Sequence, residues 1–365
     1  MSSNAVVWIV LLLLQASLSA AQGAAANVTC TPTGFIRDGI NLTAALINPS
    51  KTVSGGVNSS GCNIGIYYGP GAKGAVYRAT IFGANYFGVV NDGGTVNVSY
   101  SRIHDIGENP LNGSQHGVGI YFADESGAKG KLQNNLIWNY QKGGIVVNGS
   151  SDSARINNNS VLGLGPVNFI AQNGIQIGFG ASGSIRGNTV SGNSYSGSNF
   201  AISTGILVVG GACFGGPITV KIRVHGNTVV GSDGGIDFSN LDNDGNGNCV
   251  PTLNQTQDVA SGNTVDNALV NNISGHGAGA GYQAGIADQG NDDSIVNNAI
   301  CGAGYTPVST PPPFLYFIDT TNTIDPDLSG NISCLEGSPS TRVMESASVA
   351  RANAVTKLHP EQPFR

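Results

Sequence analysis

Apolar positions in this chain come in short alternating runs and not in helical stripes. One phrase recurs from residue 131 to residue 300: an apolar residue, spacers, Asn, any residue, then Val or Ile. It reads KLQNNLI (131–137), ARINNNSV (154–161), SIRGNTV (184–190), RVHGNTV (223–229), VASGNTV (259–265) and SIVNNAI (294–300). VSYSRI (98–103) is the same phrase with Ser101 in place of Asn. A second phrase, Gly followed by Ile or Val and then alternation, starts at Gly65, Gly88, Gly119, Gly144, Gly174, Gly205, Gly235 and Gly285. The steps are 23, 31, 25, 30, 31, 30 and 50 residues.

Each phrase is too short for a helix and has period-two character, so both predict short strands. Strands repeating at a near-constant step predict a parallel solenoid, in which each coil stacks on the last about 4.8 Å away. One coil cannot bury its own apolar face; stacking supplies the core. Asn135, Asn159, Asn188, Asn227, Asn263 and Asn298 then form a column. Each is placed at a bend, because Asn tolerates left-handed backbone, and stacked amides can bond from coil to coil. The Gly of the second phrase is placed at another bend.

This alternation resembles the right-handed parallel β-helix of the pectate-lyase-like superfamily, over roughly residues 52–320. The resemblance implies an all-β fold of about 8–10 coils and a secreted protein that cleaves, epimerises or binds polysaccharide. The active-site motifs of its polygalacturonase branch are not present in order, so no catalytic residue carries over. GFIRDGINLTAALINPS (34–50) reads as an amphipathic segment and resembles the short helix that plugs the first coil of such proteins. The expected organisation is a signal peptide over 1–21, a cap over 22–51, the β-helix over 52–334 and a mobile tail over 335–365.

Composition narrows the partners. Charged residues are only 10% of the 365, Gly numbers 54, and the formal net charge is −6. Low charge argues against a disordered chain, and the acidic balance against nucleic acid. The apolar run Ala5–Leu14, followed by small residues to Ala21, reads as a secretory leader and is too short to span a bilayer. The expected partner is a polysaccharide or other glycan, with no membrane span, and the protein reads as a monomer. An even count of six Cys suits an oxidising compartment. The expected pairs are Cys30–Cys62, Cys213–Cys249 and Cys301–Cys334.

Insertions at 104–118, 162–173 and 191–204 share one edge of a stacked solenoid and predict a wall beside a binding face. They offer Phe169, Tyr195 and Phe200 to stack on sugars, or to pack as loop cores. The outward residues beside each inward Ile or Val are Tyr67, Val90, Tyr121, Val146, Gln176, Leu207, Asp237 and Ala287. His116 and Lys142 flank that face. His116, Tyr121, Lys142 and Asp237 are candidate acid, base or cation groups, with Gln176 beside them for substrate. A lyase or epimerase needs a base and a cation against a carboxylate enolate; a hydrolase needs paired carboxylates. Asp237 has no partner carboxylate at the same position on the adjacent coil, which favours the lyase. A solvent face with no chemistry, in a glycan-binding or structural protein, is the competing reading. Asp242, Asp244 and Asn246 have the spacing of the first half of a calcium loop, but Leu253 stands where the bidentate Glu belongs. A tight Asp/Asn/Gly turn is the other reading.

Overall fold

A computed structural model describes residues 28–197, 199, 201–271, 281–309, 313–334 and 364. The leader, Phe200 and nearly all of the tail lie outside the described residues. What is described is almost entirely strand. The only helical turns among these residues are Ala212–Phe214 and Ala303–Tyr305.

Two long sheets run through the molecule, a 12-stranded one and a 17-stranded one. The Gly–Ile phrases make the first, here called column 1, from Ile64–Tyr68 through Val118–Phe122, Gly143–Asn148 and Asn173–Gly178 to Leu315–Asp319. The second sheet holds two columns. Column 2 precedes the recurrent Asn (Lys129–Gln133, Ser153–Asn157, Ser182–Arg186) and column 3 follows it (Leu136–Tyr140, Ser160–Val167, Thr189–Tyr195). Within each column every strand pairs in parallel with the equivalent strand of the next repeat. The register is in phase, as in Ile120, Ile145, Ile175, Ile206, Ile236 and Ile286. These stack with Val161, Val190 and Val229 of column 3 and Ile156, Ile185 and Val224 of column 2 in one apolar cluster. All are fully buried. Each such side chain contributes roughly 1.5–3 kcal/mol through removal from water.

The Asn column is continuous. The backbone N–H of each ladder residue donates to the Oδ1 of the next: Ser101 to Asn135, then Asn159, Asn188, Asn227, Asn263, Asn298 and finally Asn331, at 2.8–3.0 Å. From Asn135 to Asn298 each Nδ2 also donates to that Oδ1, and it donates to a carbonyl of the preceding repeat. The left-handed residue is the one before: Tyr100, Asn134, Asn158, Gly187, Gly226, Gly262, Asn297 and Gly330 all have positive φ. That corrects the placement of the bend and explains why the dipeptide is Gly-Asn or Asn-Asn.

The Gly of the Gly–Ile phrase is not a bend. None of these residues has positive φ. They are glycines because two backbones and the facing column crowd the site. A Cβ on Gly174 would stand 2.6 Å from the Gly205 carbonyl oxygen and closer still to Val190. Gly119 stands in the same way against Gly144 and Ile137.

The expected N-terminal helix is instead a hairpin, of β1 (Thr31–Arg37) and β2 (Ile40–Ile47). Its turn is Asp38-Gly39, both at positive φ, the pair that two-residue hairpin turns favour. β2 then pairs in parallel with Ile64–Tyr68 and caps column 1. All three expected disulfides are formed. No described helix is long and apolar enough to cross a membrane.

Candidate functional site

The outward row of column 1 is in register as expected, Tyr67, Val90, Tyr121, Val146, Gln176, Leu207, Asp237 and Ala287. It does not face solvent: every member is buried. Phe35 of β1 lies against Tyr67, Phe87 and Tyr121, with ring centroids 6.1–6.5 Å apart. Arg37 reaches Tyr121 Oη at 3.4 Å and Asp124 at 3.1 Å. Burial drives the Tyr121 hydroxyl well above its ordinary pKa. The Lys142 ammonium donates to the Ala171 carbonyl at 3.0 Å in a buried position. Gln176 donates to Asn148 Oδ1 at 2.9 Å. Asp237 accepts from Ser239 at 2.9 Å, and burial pushes its carboxyl up to about 7 despite that bond. These groups have separate partners and do not converge. The expectation of an open groove carrying a base and a cation is not met on this face.

Farther along this face, Asp319 lies one strand beyond Ala287, in the register of Asp237, and accepts from Tyr282 at 2.8 Å. The carboxylate partner missing from the adjacent repeat thus stands two repeats away, on a buried surface.

The open site lies at the edge where the first insertion leaves column 3. A cleft of about 690 Å³ is lined by residues 60–63, Phe82, Gly83, Asn85, Asp105, Gly107, Glu108, Asn109, Leu111 and Asn139. Beside it stand three in-register outward side chains, Phe82, His104 and Trp138, of which Phe82 lines the cleft. They stack with centroids 5.4 and 4.2 Å apart. The next residue in each repeat, Gly83, Asp105 or Asn139, has positive φ. This bend swings Asp105 to the rim. One Asp105 oxygen accepts from Asn139 Nδ2, and the other lies 2.7 Å from His104 Nδ1.

The second carboxylate comes from the insertion. Glu108 Oε1 is 2.7 Å from His116 Nε2 and accepts from Asn85 Nδ2 at 3.4 Å. The His116 ring stacks on Tyr86 at 3.9 Å, so it is a brace behind Glu108 and not a free base. Gln141 holds the loop. It is fully buried, accepts from the N–H groups of Glu108 and Asn112 at 3.1 Å, and donates to Ser114 O at 2.7 Å. The opposite wall is anchored by the Cys30–Cys62 disulfide.

The insertions do share an edge: the Phe169 carbonyl oxygen lies 3.0 Å from a Cβ built on Gly113. Phe169 is half-buried there. Tyr195 is buried with Ala171 and Ala201, and its N–H donates to Asp233 at 2.7 Å, so it packs a loop core. Residues 244–248 form the tip of a hairpin between Gly234–Asn243, which carries Asp242, and Cys249–Pro251. Asp244 accepts from Asn246 N, Asn248 N and Asn248 Nδ2, which holds its carboxyl down at about 2. Its oxygens therefore serve the turn. No group of three or more His, Cys, Asp or Glu among the described residues is arranged to hold a metal ion.

No protein-family model matches this chain, and neither a curated protein nor a solved structure is significantly similar to it.

Proposed function

We propose that this protein is a secreted right-handed parallel β-helix that recognises an extended, uncharged glycan in the cleft beside Phe82, His104 and Trp138. The observation that carries the reading is an aromatic stack, reaching the cleft through Phe82, beside a lining of two half-exposed acids and a row of amides. Aromatic faces pack on the apolar face of a sugar ring, while carboxylates and amides take its hydroxyls. The stack runs along the repeat axis, as an extended chain would. Asp105 and Glu108 are the ionisable residues of the lining, and they repel a polyuronate. A lyase acting on uronates needs a cation at the reacting carboxylate, and Lys142 is buried away from the cleft on Ala171. An uncharged glycan therefore replaces the acidic substrate of the lyase reading. The three disulfides suit an oxidising compartment.

A second reading, hydrolysis of the bound glycan, rests on the presence of two carboxylates in one cleft, one of them backed by a histidine. One experiment separates the two. Titration with a panel of neutral and acidic oligosaccharides is followed by assay of reducing ends. Binding of a neutral glycan, weakened by at least roughly tenfold in Trp138→Ala, supports recognition. Reducing ends released by the wild type and lost in Glu108→Gln, with binding kept, establish hydrolysis. Equal affinity of wild type and Trp138→Ala would sink the site.

A further inference from the structure

The buried face of column 1 has an occupant from a distant part of the chain. Phe364 is 2% exposed. Its ring stands edge-on to Phe87 and Tyr121, with centroids 5.8 and 5.0 Å away and interplanar angles of 84° and 86°. The Arg37 guanidinium lies 4.6 Å over the ring. The Phe364 carbonyl oxygen accepts two hydrogen bonds, from Asn148 Nδ2 at 2.6 Å and Gln176 Nε2 at 3.1 Å.

We propose that this face is a binding site for a phenylalanine-bearing peptide segment, filled in cis by Phe364. Two independent features define the ligand. The walls demand an aromatic ring: two aromatic rings meet its edges or face at right angles, and a cation lies over it, arrangements an aliphatic side chain cannot use. The floor demands a peptide carbonyl. Asn148 and Gln176 project from adjacent strands of column 1, and the Gln176-to-Asn148 bond of 2.9 Å holds both amides in place. Gln176 stands in its row between Val146 and Leu207, and these two buried amides need an acceptor, which the Phe364 carbonyl supplies. The glycan cleft uses none of these side chains, so the two sites are separate.

The test uses the full chain carrying Phe364→Ala, whose seat lacks the ring, and a labelled peptide of residues 357–365, KLHPEQPFR. Fluorescence anisotropy should show the peptide binding the variant. The wild type should bind it at least about tenfold more weakly, because the tethered segment competes at high effective concentration. The same peptide with Phe364→Ala should bind at least about tenfold more weakly than its parent, since the ring supplies most of the contact. Adding Gln176→Leu to the variant should weaken the parent peptide by a similar factor. Equal binding to wild type and variant, or equal binding of both peptides, would overturn the proposal. Should Phe364→Ala fail to fold, a second measurement decides. A photo-reactive p-benzoylphenylalanine in place of Phe364 in the full chain should cross-link to Phe87–Asn91 or Val118–Phe122 of the same molecule. Cross-linked dimers, or no cross-link to those strands, would refute occupancy in cis.

Discussion

Asn188→Val tests the ladder at its centre. In the wild type, Asn188 Oδ1 accepts from Asn159 N at 2.8 Å and Asn159 Nδ2 at 2.9 Å. Its Nδ2 donates to Ile156 O at 2.9 Å and to Asn227 Oδ1 at 2.9 Å. Val removes all four bonds and keeps the backbone N–H bond to Asn227. Asn159 Nδ2 keeps Leu132 O, and Asn227 Oδ1 keeps the Asn188 N–H. The buried group left stranded is the Asn159 N–H, since the Ile156 carbonyl keeps its place in the parallel ladder with Ser182–Arg186. At about 1–3 kcal/mol for an unsatisfied buried group, and with little added apolar burial in return, the loss is about 1–3 kcal/mol. Backbone strain adds nothing, because the left-handed residue is Gly187 and not Asn188.

Asn188→Asp sharpens the test. A carboxylate still accepts from both Asn159 donors, but it cannot donate to Ile156 O, and it faces Asn227 Oδ1 across a dry column. It should be at least as damaging as Val at neutral pH and should recover as pH falls, because a protonated carboxyl donates once. The sign follows from burial: the new carboxyl has its folded pKa raised, so its stabilising form is lost as pH rises. Urea titrations of the three proteins at pH 4.5 and 7.5 measure this. A Val variant within about 0.5 kcal/mol of wild type, the range of an ordinary surface change, would refute the ladder's energetic role. An Asp variant without extra pH dependence would refute the donor argument.

Stability of the wild type should fall as pH rises from about 5 to 8. Burial lifts Asp152, Asp233 and Asp237 to about 7, and burial with the neighbouring Asp288 lifts Asp293 as well, so the folded state holds protons that the unfolded chain releases near pH 4. Thermal melts across that range check it, and a rising melting temperature would contradict it. Gly174→Ala should cost about 1–3 kcal/mol or more, because its methyl overlaps the Gly205 carbonyl oxygen; an unchanged urea midpoint would show that the repeats have slack there. Lys142→Met should lower stability by about 1–3 kcal/mol by leaving Ala171 O without this donor, and should leave the glycan titration unchanged; selective loss of binding would make Lys142 a site residue.

What could be read from the chain depended on repetition. The ladder was legible because the same residue stands at the same phase in repeat after repeat, and even Ser101 was recognisable as its first rung. The left-handed position was one residue off, because Gly and Asn alternate before the rung and the phrase alone does not say which residue carries the bend. The glycine column read as a bend for a related reason: a Gly required for close approach and a Gly required for positive φ look identical in sequence. At the N-terminus, apolar spacing suggested a helix while Asp38-Gly39 marked a two-residue hairpin turn. The turn chemistry won, because pairing β2 with Ile64–Tyr68 gives column 1 a partner for its edge.

The cleft was half legible, and the boundary follows repeat phase. The residue three places after the rung is His104 after Ser101 and Trp138 after Asn135, Phe82 holds the same phase one repeat earlier, and the next residue is Gly83, Asp105 or Asn139. Aligning the phrases at that offset exposes the aromatic stack and places Asp105 beside it, so these positions carry a periodic signal. Glu108 and its brace His116 lie in a non-repeating insertion, where no phase relates one residue to another. Their 2.7 Å contact exists because Gln141, in the following repeat, ties the loop back through Glu108 N, Asn112 N and Ser114 O. The outward row of column 1 shows the complementary limit. Alternation states which side chains leave the core, but exposure also depends on what arrives from elsewhere. Here β1 arrives from upstream, Phe364 from far downstream, and each uses a side chain that no periodicity marks. Tyr121 and Gln176 therefore have the spacing of a solvent-facing groove and the surroundings of a second core.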